Sequence, residues 1–119
     1  MIPHGVEIFV GMEPIDLRWS FDRLVGIVAD RMGRDGRGGA MFVFFGKRRN
    51  AIKVLFFDGT GLCLFYKRLD KGTFCMPEQE IPGATRVEID DRELDDLLDG
   101  IDVRKAERKP RKVPSPSLH

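Results

Sequence analysis

Aspartates are the first residues of this chain whose type could do chemistry, because carboxylates hold the metal ions that assist phosphoryl transfer. The available side chains are Asp16, Asp22, Asp58 and Asp70. Asp58, however, begins the segment DGTG, where aspartate is favoured because its side chain bonds nearby backbone N–H groups. Asp16 is placed to cap a helix. Structural roles explain these two carboxylates, so a small metal-dependent nuclease is a minor alternative.

Histidine and cysteine offer little further chemistry. The histidines are His4 and His119, and the cysteines, Cys63 and Cys75, are twelve residues apart without a neighbouring histidine. This spacing fits neither a zinc site nor a redox pair, and a Ser–His or Cys–His nucleophile has little support. With no apolar run near the ~20 residues of a membrane span, we expect no metal, no cofactor and no membrane partner, and a reduced, cytoplasmic protein.

Cations are grouped where a nucleic-acid backbone could bind. They occupy a loop between two predicted strands, the end of the following strand and the last segment of the chain: Lys47, Arg48, Arg49, Lys67, Arg68, Arg104, Lys105, Arg108, Lys109, Arg111 and Lys112. Loop and tail cations suit phosphate contacts, which release counterions and read no sequence. We predict DNA contact; the alternatives are a solvated turn or, for Lys67 and Arg68, ion pairs with an acidic helix.

The charge of the chain changes sign along its length. The net charge is +3 for residues 1–87, −7 for residues 88–103 and +5 for residues 104–119. The last segment has three prolines and few apolar side chains, too few to offset the entropy of ordering it. We therefore predict one domain at 1–103 and a disordered basic tail at 104–119.

The elements that must position these groups follow from periodicity and turn residues. Strands are predicted at 6–10, 41–45, 52–57, 61–67 and 84–89, with a short one at 73–76, and short loops favour antiparallel neighbours. A helix at 20–32 ends at Gly33, with an apolar stripe formed by Leu17, Phe21, Leu24, Val25, Val28 and Met32. A second helix begins with a capping box of Asp90 and Glu93 and stops at Gly100.

The middle strands do not alternate apolar and polar residues, so both faces of the sheet need cover. One interpretation is a curled sheet covered by its own two helices. The other leaves a face open for a protein partner or a second copy, with a partner surface formed by Trp19, Phe42, Phe44 and Phe57. Trp19 itself either stacks on Arg23 in an exposed patch or, if Ser20 is the N-cap, packs on Leu24 as a hydrophobic staple.

The central stretch FVFFGKRRNAIKVLFFDGTGLCLFYKRLDKGTF resembles the signature of a family, the small accessory proteins of IS66-type bacterial insertion sequences, TnpB type, encoded by the second reading frame. Its most specific part comprises Asp58, Gly59, Gly61, Tyr66, Lys67, Arg68 and Leu69. Similarity extends to the opening helix (Asp16, Leu17, Arg18, Ser20, Phe21, Asp22, Leu24) and the closing one (Leu98, Asp99, Gly100, Ile101, Asp102). Phe57 and Val103 stand where the family has tryptophan, and Leu17 where methionine is common.

The resemblance implies an accessory role in transposition beside a separate, larger transposase, and it implies no known chemistry. Together with the residues, it predicts an α+β fold in which two helices pack an antiparallel, curled sheet. We expect a non-enzymatic factor that contacts DNA, the transposase of the same element, or both, with self-association as a further option. The alternative is a pure protein-interaction subunit whose charges serve only solubility.

Overall fold

The computed structural model describes residues 5–79 and 81–101. Five strands and two helices follow one another along the chain: β1 (Ile8–Gly11), α1 (Phe21–Ile27) with a π-helical continuation (Val28–Met32), β2 (Met41–Phe45), β3 (Ala51–Phe57), β4 (Leu62–Arg68), β5 (Arg86–Ile89) and α2 (Asp91–Leu98). The predicted basic tail, residues 104–119, lies outside the described residues.

The strands form one sheet in the order β4-β3-β2-β1-β5. β2, β3 and β4 are joined by short turns and are antiparallel, and β5 is antiparallel to β1. β1 and β2 are parallel, contrary to the predicted antiparallel neighbours, because the connection between them runs through α1 rather than through a hairpin. The predicted α+β class is confirmed, and the sheet does not close on itself.

Each face of the sheet is covered by one helix, which explains why the middle strands lack alternation. The α1 face buries one cluster: Phe9, Ile15, Leu24, Ile27, Val28, Met32, Ala40, Phe42, Phe44 and Leu55. The α2 face buries another: Ile8, Val10, Val43, Phe45, Ile52, Val54, Phe74, Ile89, Leu94 and Leu97. A three-layer arrangement of this kind gives β2 and β3 two apolar faces within a single chain.

Phe42 and Phe44 were predicted to belong to a partner surface, and the structure corrects this prediction. Their side chains are at most 1% exposed because α1 and the segment before it pack directly over them. The interpretation in which the chain covers its own sheet therefore holds for these two residues. Phe21 departs from its prediction in the opposite direction. It was assigned to the buried stripe of the first helix, but its side chain is 39% exposed.

The helix ends agree with the local signals in the sequence. Ser20 is the N-cap residue of α1, and Gly33 ends the π-helical turn in a left-handed conformation with φ of 64°. At α2, the Asp90 carboxylate accepts a hydrogen bond from the Glu93 N–H at 2.7 Å while the Glu93 carboxylate accepts one from the Asp90 N–H at 3.0 Å. The predicted capping box is thus present.

One predicted strand is absent. Residues 73–76 have no regular structure, and they pack across the α2 face instead of joining the sheet. Phe74 is buried there with its ring edge-to-face against Phe45, the two ring centroids being 6.1 Å apart. The apolar residues that suggested a strand are therefore explained by burial in a loop.

Candidate nucleic-acid interface

The loop between β2 and β3 presents three consecutive cations to solvent. Lys47, Arg48 and Arg49 are all exposed, and a backbone hydrogen bond of 3.0 Å from the Arg49 N–H to the Gly46 carbonyl closes the turn. Gly46 packs closely on Leu17, since a β-carbon at Gly46 would lie 2.5 Å from Leu17 Cδ1 and the leucine would have to move. Arg49 has a left-handed φ of 57°, which is uncommon for a residue with a side chain. The three cations therefore lie on a tight, hydrogen-bonded turn.

The end of β4 lies beside the same loop. Arg68 is paired with Ala51, the first residue of β3, so it adjoins the loop that precedes that strand. The following turn folds back on the loop through hydrogen bonds from the Leu69 N–H to the Asn50 carbonyl and from the Phe74 N–H to the Arg49 carbonyl. We call the exposed cations gathered here the basic end of the sheet: Lys47, Arg48, Arg49, Arg68 and Lys71.

Lys67, predicted to contact nucleic acid, makes a contact within the fold. Its ammonium donates a hydrogen bond of 2.7 Å to the Leu98 carbonyl at the end of α2, and its side chain is partly buried. A cation at this position suits the negative end of the helix dipole. Lys67 thus ties β4 to α2, through a backbone carbonyl rather than through an acidic side chain as the ion-pair alternative supposed.

The described chain ends at the basic end as well. Gly100, just after α2, is so close to β4 that a β-carbon on it would lie 3.7 Å from Leu69 Cδ1. The chain continues from Ile101 into the predicted tail, whose cations Arg104, Lys105, Arg108, Lys109, Arg111 and Lys112 lie outside the described residues. The point from which the tail departs is therefore adjacent to the basic loop and the end of β4.

Trp19 shows features of both predicted arrangements. α1 begins after Ser20, as the staple interpretation requires, and Trp19 is half-buried against the cluster that contains Leu24. The Arg23 guanidinium also lies 4.5 Å from the centre of the Trp19 ring, which is the cation–π contact of the other interpretation. Asp16 does not cap the helix. Its carboxylate instead accepts bonds from the backbone and side chain of Arg18, which lower the pKa of Asp16 to about 2.

Lys53 is a buried, hydrogen-bonded lysine that the sequence pattern did not identify. It lies in the middle of β3, is 7% exposed, and its ammonium donates a hydrogen bond of 2.7 Å to the Trp19 carbonyl. The same nitrogen lies 5.3 Å from the centre of the Tyr66 ring. Burial lowers the pKa of Lys53, and the negative charge of Asp16 opposes that effect. Its only signal in the sequence is a lone lysine in an otherwise apolar strand.

The carboxylates singled out for catalysis have structural partners or lie apart. Asp58 holds the β3–β4 turn by accepting bonds from the N–H groups of Thr60 and Gly61, both at 2.9 Å, which lower the pKa of Asp58 to about 2. Burial and the neighbouring Asp58 carboxylate raise the pKa of the Cys63 thiol, which makes it a poorer nucleophile. Within residues 5–79 and 81–101, no three His, Cys, Asp or Glu side chains could share a metal ion.

An apolar groove of about 720 Å³ lies at the side of the sheet away from the basic loop. Phe56, Phe57 and Phe65 line it from the sheet, and Leu94 and Leu98 line it from α2. Of the predicted partner surface, Phe57 is thus the residue that borders an open apolar site. Among the helices of the described part of the chain, none is both long enough and apolar enough to cross a bilayer.

Comparison with known proteins gives a consistent result over most of the chain. A family model described as IS66 Orf2 like protein matches residues 6–108. The uncharacterized protein y4hO of Sinorhizobium fredii is 37% identical over 117 residues, covering 95% of this chain and 99% of that protein. The uncharacterized protein y4jC of the same organism is 32% identical over 111 residues, covering 93% and 92%. No solved structure is significantly similar.

Proposed function

The chain belongs to the IS66 Orf2-like family of insertion-sequence proteins, and from this we propose that it is a non-enzymatic accessory factor of transposition that contacts DNA through the basic end of its sheet. The phosphate backbone is the part of DNA that such a surface recognises, because exposed cations on loops neutralise phosphates without reading bases. The transposase of the same element is the expected protein partner.

The observation that carries this proposal is the convergence of separate chain segments on one end of the molecule. The β2–β3 loop supplies Lys47, Arg48 and Arg49, and the end of β4 with the following turn supplies Arg68 and Lys71. Among the described residues, none of these five side chains makes an ion pair. Asp70 shares the turn with Lys71, but the cations outnumber it.

DNA affinity measured across a salt series tests the proposal. We expect the variant Lys47→Ala, Arg48→Ala to bind any duplex more weakly and with a shallower dependence of log affinity on log salt, by about one unit of slope for each lost phosphate contact. Arg49 is left unchanged because its backbone is left-handed. The matched control is Arg37→Ala, Arg92→Ala, which removes two exposed cations near the opposite end of the sheet.

Three outcomes of this experiment bear on the proposal. The proposal requires the loop variant to lose affinity and salt dependence while the control keeps both, with equal melting temperatures. If both variants weaken binding equally, only net charge matters and the basic end is not an interface. If wild type binds no duplex even at low salt, DNA contact is excluded.

A pure protein-interaction subunit is the second candidate function, and the apolar groove is the observation that favours it. Its open phenylalanine side chains are of the kind found at the centres of protein interfaces. Co-purification of the chain with the transposase of the same element tests this candidate. Phe57→Ser should abolish capture while leaving the chain folded, whereas the Lys47→Ala, Arg48→Ala variant should leave capture unchanged.

A further inference from the structure

The outer edge of β4 has no strand beside it among the described residues, because β4 is the first strand in the sheet order. β4 begins with the apolar run LCLFY, in which Phe65 is 45% and Tyr66 is 52% exposed. The opposite edge strand, β5, has four residues and includes the charged Arg86 and Glu88. Short or charged edge strands resist edge-to-edge pairing, and the apolar part of β4 has no such protection.

The hydrogen bonds at the two ends of the β3–β4 hairpin show which backbone groups of β4 point outward. The Asp58 N–H donates to the Gly61 carbonyl, and the Leu69 N–H donates to the Asn50 carbonyl. Hydrogen-bonded pairs alternate along an antiparallel ladder, and both ends give the same phase in the observed register. Cys63, Phe65 and Lys67 therefore bond to β3, whereas Leu62, Leu64, Tyr66 and Arg68 direct their N–H and C=O groups outward.

We propose that β4 pairs antiparallel with β4 of a second copy of this chain, with Phe65 opposite Phe65. In this register Leu64 pairs with Tyr66 of the other copy, and Leu62 pairs with Arg68. Both members of each pair direct their backbone groups outward, so each pair exchanges two hydrogen bonds. A shift by one residue would set outward groups against inward ones and is excluded. The two sheets become one continuous sheet.

Charge favours the same arrangement. In this register Arg68 lies opposite Leu62, so the cations at the end of β4 do not face those of the other copy. Twofold symmetry repeats this separation of like charges at both ends, while apolar and aromatic side chains meet at the centre. A parallel, in-register pairing would instead place Lys67 and Arg68 against their own copies, which is destabilising.

Phe65 adds apolar contact at the centre of the pairing. Its ring borders the groove between the sheet and α2. At a non-hydrogen-bonded position, facing residues have Cα atoms about 4.5 Å apart, so the second Phe65 lies against the first on the same face of the sheet. Aromatic cross-strand pairs of this kind stabilise strand pairing.

Sedimentation of the full chain over a range of concentrations tests the proposal. Wild type should shift from the chain mass of 13.6 kDa towards twice that mass as its concentration rises. Phe65→Lys and Phe65→Glu each set like charges face to face, so each should raise the dimer dissociation constant at least about tenfold. An equal mixture of the two variants should restore the dimer, because opposite charges then meet across the twofold axis.

The matched control places the same charges one residue further along. Tyr66 faces Leu64 in the proposed register, so a mixture of Tyr66→Lys and Tyr66→Glu should recover less dimer than the Phe65 mixture. Greater recovery with the Tyr66 pair would overturn the register. A wild-type chain that stays at 13.6 kDa up to its solubility limit would overturn the dimer.

Amide hydrogen exchange of the wild type gives a second test that needs no variant. Raising the protein concentration should slow exchange at Leu64 and Tyr66, whose N–H groups face outward, and leave Cys63 and Phe65 nearly unchanged because β3 already protects them. If the Leu64 and Tyr66 amides exchange at the same rate at every concentration, β4 does not pair with a second copy.

Discussion

Strands β2 and β4 have similar sequences and opposite surroundings. β2 reads MFVFF, and its residues from Phe42 to Phe45 are at most 1% exposed. β4 begins LCLFY, and none of its residues is buried. β2 has a strand on either side and a helix over each face, whereas β4 has one neighbouring strand and only partial cover from the helices. An apolar run thus predicts a strand, but its place in the sheet decides whether that strand is core or surface.

The largest expected effect on the free energy of unfolding comes from truncating a phenylalanine to alanine, and it should differ between the two strands. Phe42→Ala should lower the free energy of unfolding by about 3–5 kcal/mol, because it leaves a cavity under α1. Phe65→Ala should cost about 1 kcal/mol or less, since nearly half of that side chain is already in water. Denaturant titration at low protein concentration, where self-association is disfavoured by mass action, measures both. Similar losses for the two variants would remove the distinction between the strands.

Lys53, on the strand between β2 and β4, should give the next largest effect. Lys53→Ala removes the donor from the Trp19 carbonyl and the packed lysine stem, and we expect a loss of about 1–3 kcal/mol. The sign of the pH dependence follows from the lowered pKa. Because folding disfavours the charged amine, wild type should gain stability relative to Lys53→Ala as the pH rises towards the ordinary lysine pKa of 10.5.

Titration of the two proteins between neutral and alkaline pH checks this prediction. A constant difference in unfolding free energy across the range would mean that the Lys53 amine is as well solvated in the fold as in the unfolded chain. The hydrogen bond to Trp19 and the packing of the lysine stem would then account for its whole contribution.

A smaller effect is expected at the cap of α2, the helix that covers one face of β2 and leaves β4 largely open. Asp90→Ala removes the acceptor for the Glu93 N–H and should lower the free energy of unfolding by about 1 kcal/mol. Asp99→Ala, at the other end of the helix, is the control and should be neutral or slightly stabilising because it removes a negative charge near the helix C-terminus. Denaturant titration of both variants distinguishes lost capping from lost charge.

The parts of this fold that could be predicted from the sequence are those fixed by local chemistry. The strand runs, the capping box at Asp90 and the stop at Gly33 each depend on residues within a few positions of one another. The pairing of β1 with β2 depends on a connection through α1, and neither strand carries a signal for it. The burial of Phe42 and Phe44 follows from the packing of α1 on that face, and the strand pattern alone left it open between a self-covered sheet and a partner surface.

The features of the candidate site also divide into those that local sequence predicts and those that depend on tertiary packing. The basic loop and its approach to Arg68 follow from the β3–β4 hairpin, whose turn residues are readable. The arrival of the C-terminal end of α2 beside β4, fixed by the bond from Lys67 to the Leu98 carbonyl, is tertiary and could not be read from spacing. Lys53 escaped notice because a single lysine in a strand is normally solvated, and only the packing of Trp19 over it makes it a buried donor.

The smallest expected effect concerns the turn that holds β4 against β3. The pKa of Asp58 is lowered from 3.8 to about 2 by the N–H groups of Thr60 and Gly61, so the ionised carboxylate stabilises the hairpin. This contribution is present above the unfolded pKa and is lost as the pH falls from 3.8 towards 2. Asp58→Ala should therefore be less stable than wild type near neutral pH, and the difference should shrink in that acidic window. Asp58→Asn keeps a neutral acceptor for the turn but no titrating group, so its stability at neutral pH should lie between those of Asp58→Ala and wild type and should lack this acidic dependence. NMR titration of the Asp58 carboxyl measures the pKa directly. A value near 3.8 would show that the turn does not depend on the charge, and that β4 is held by its ladder with β3 alone.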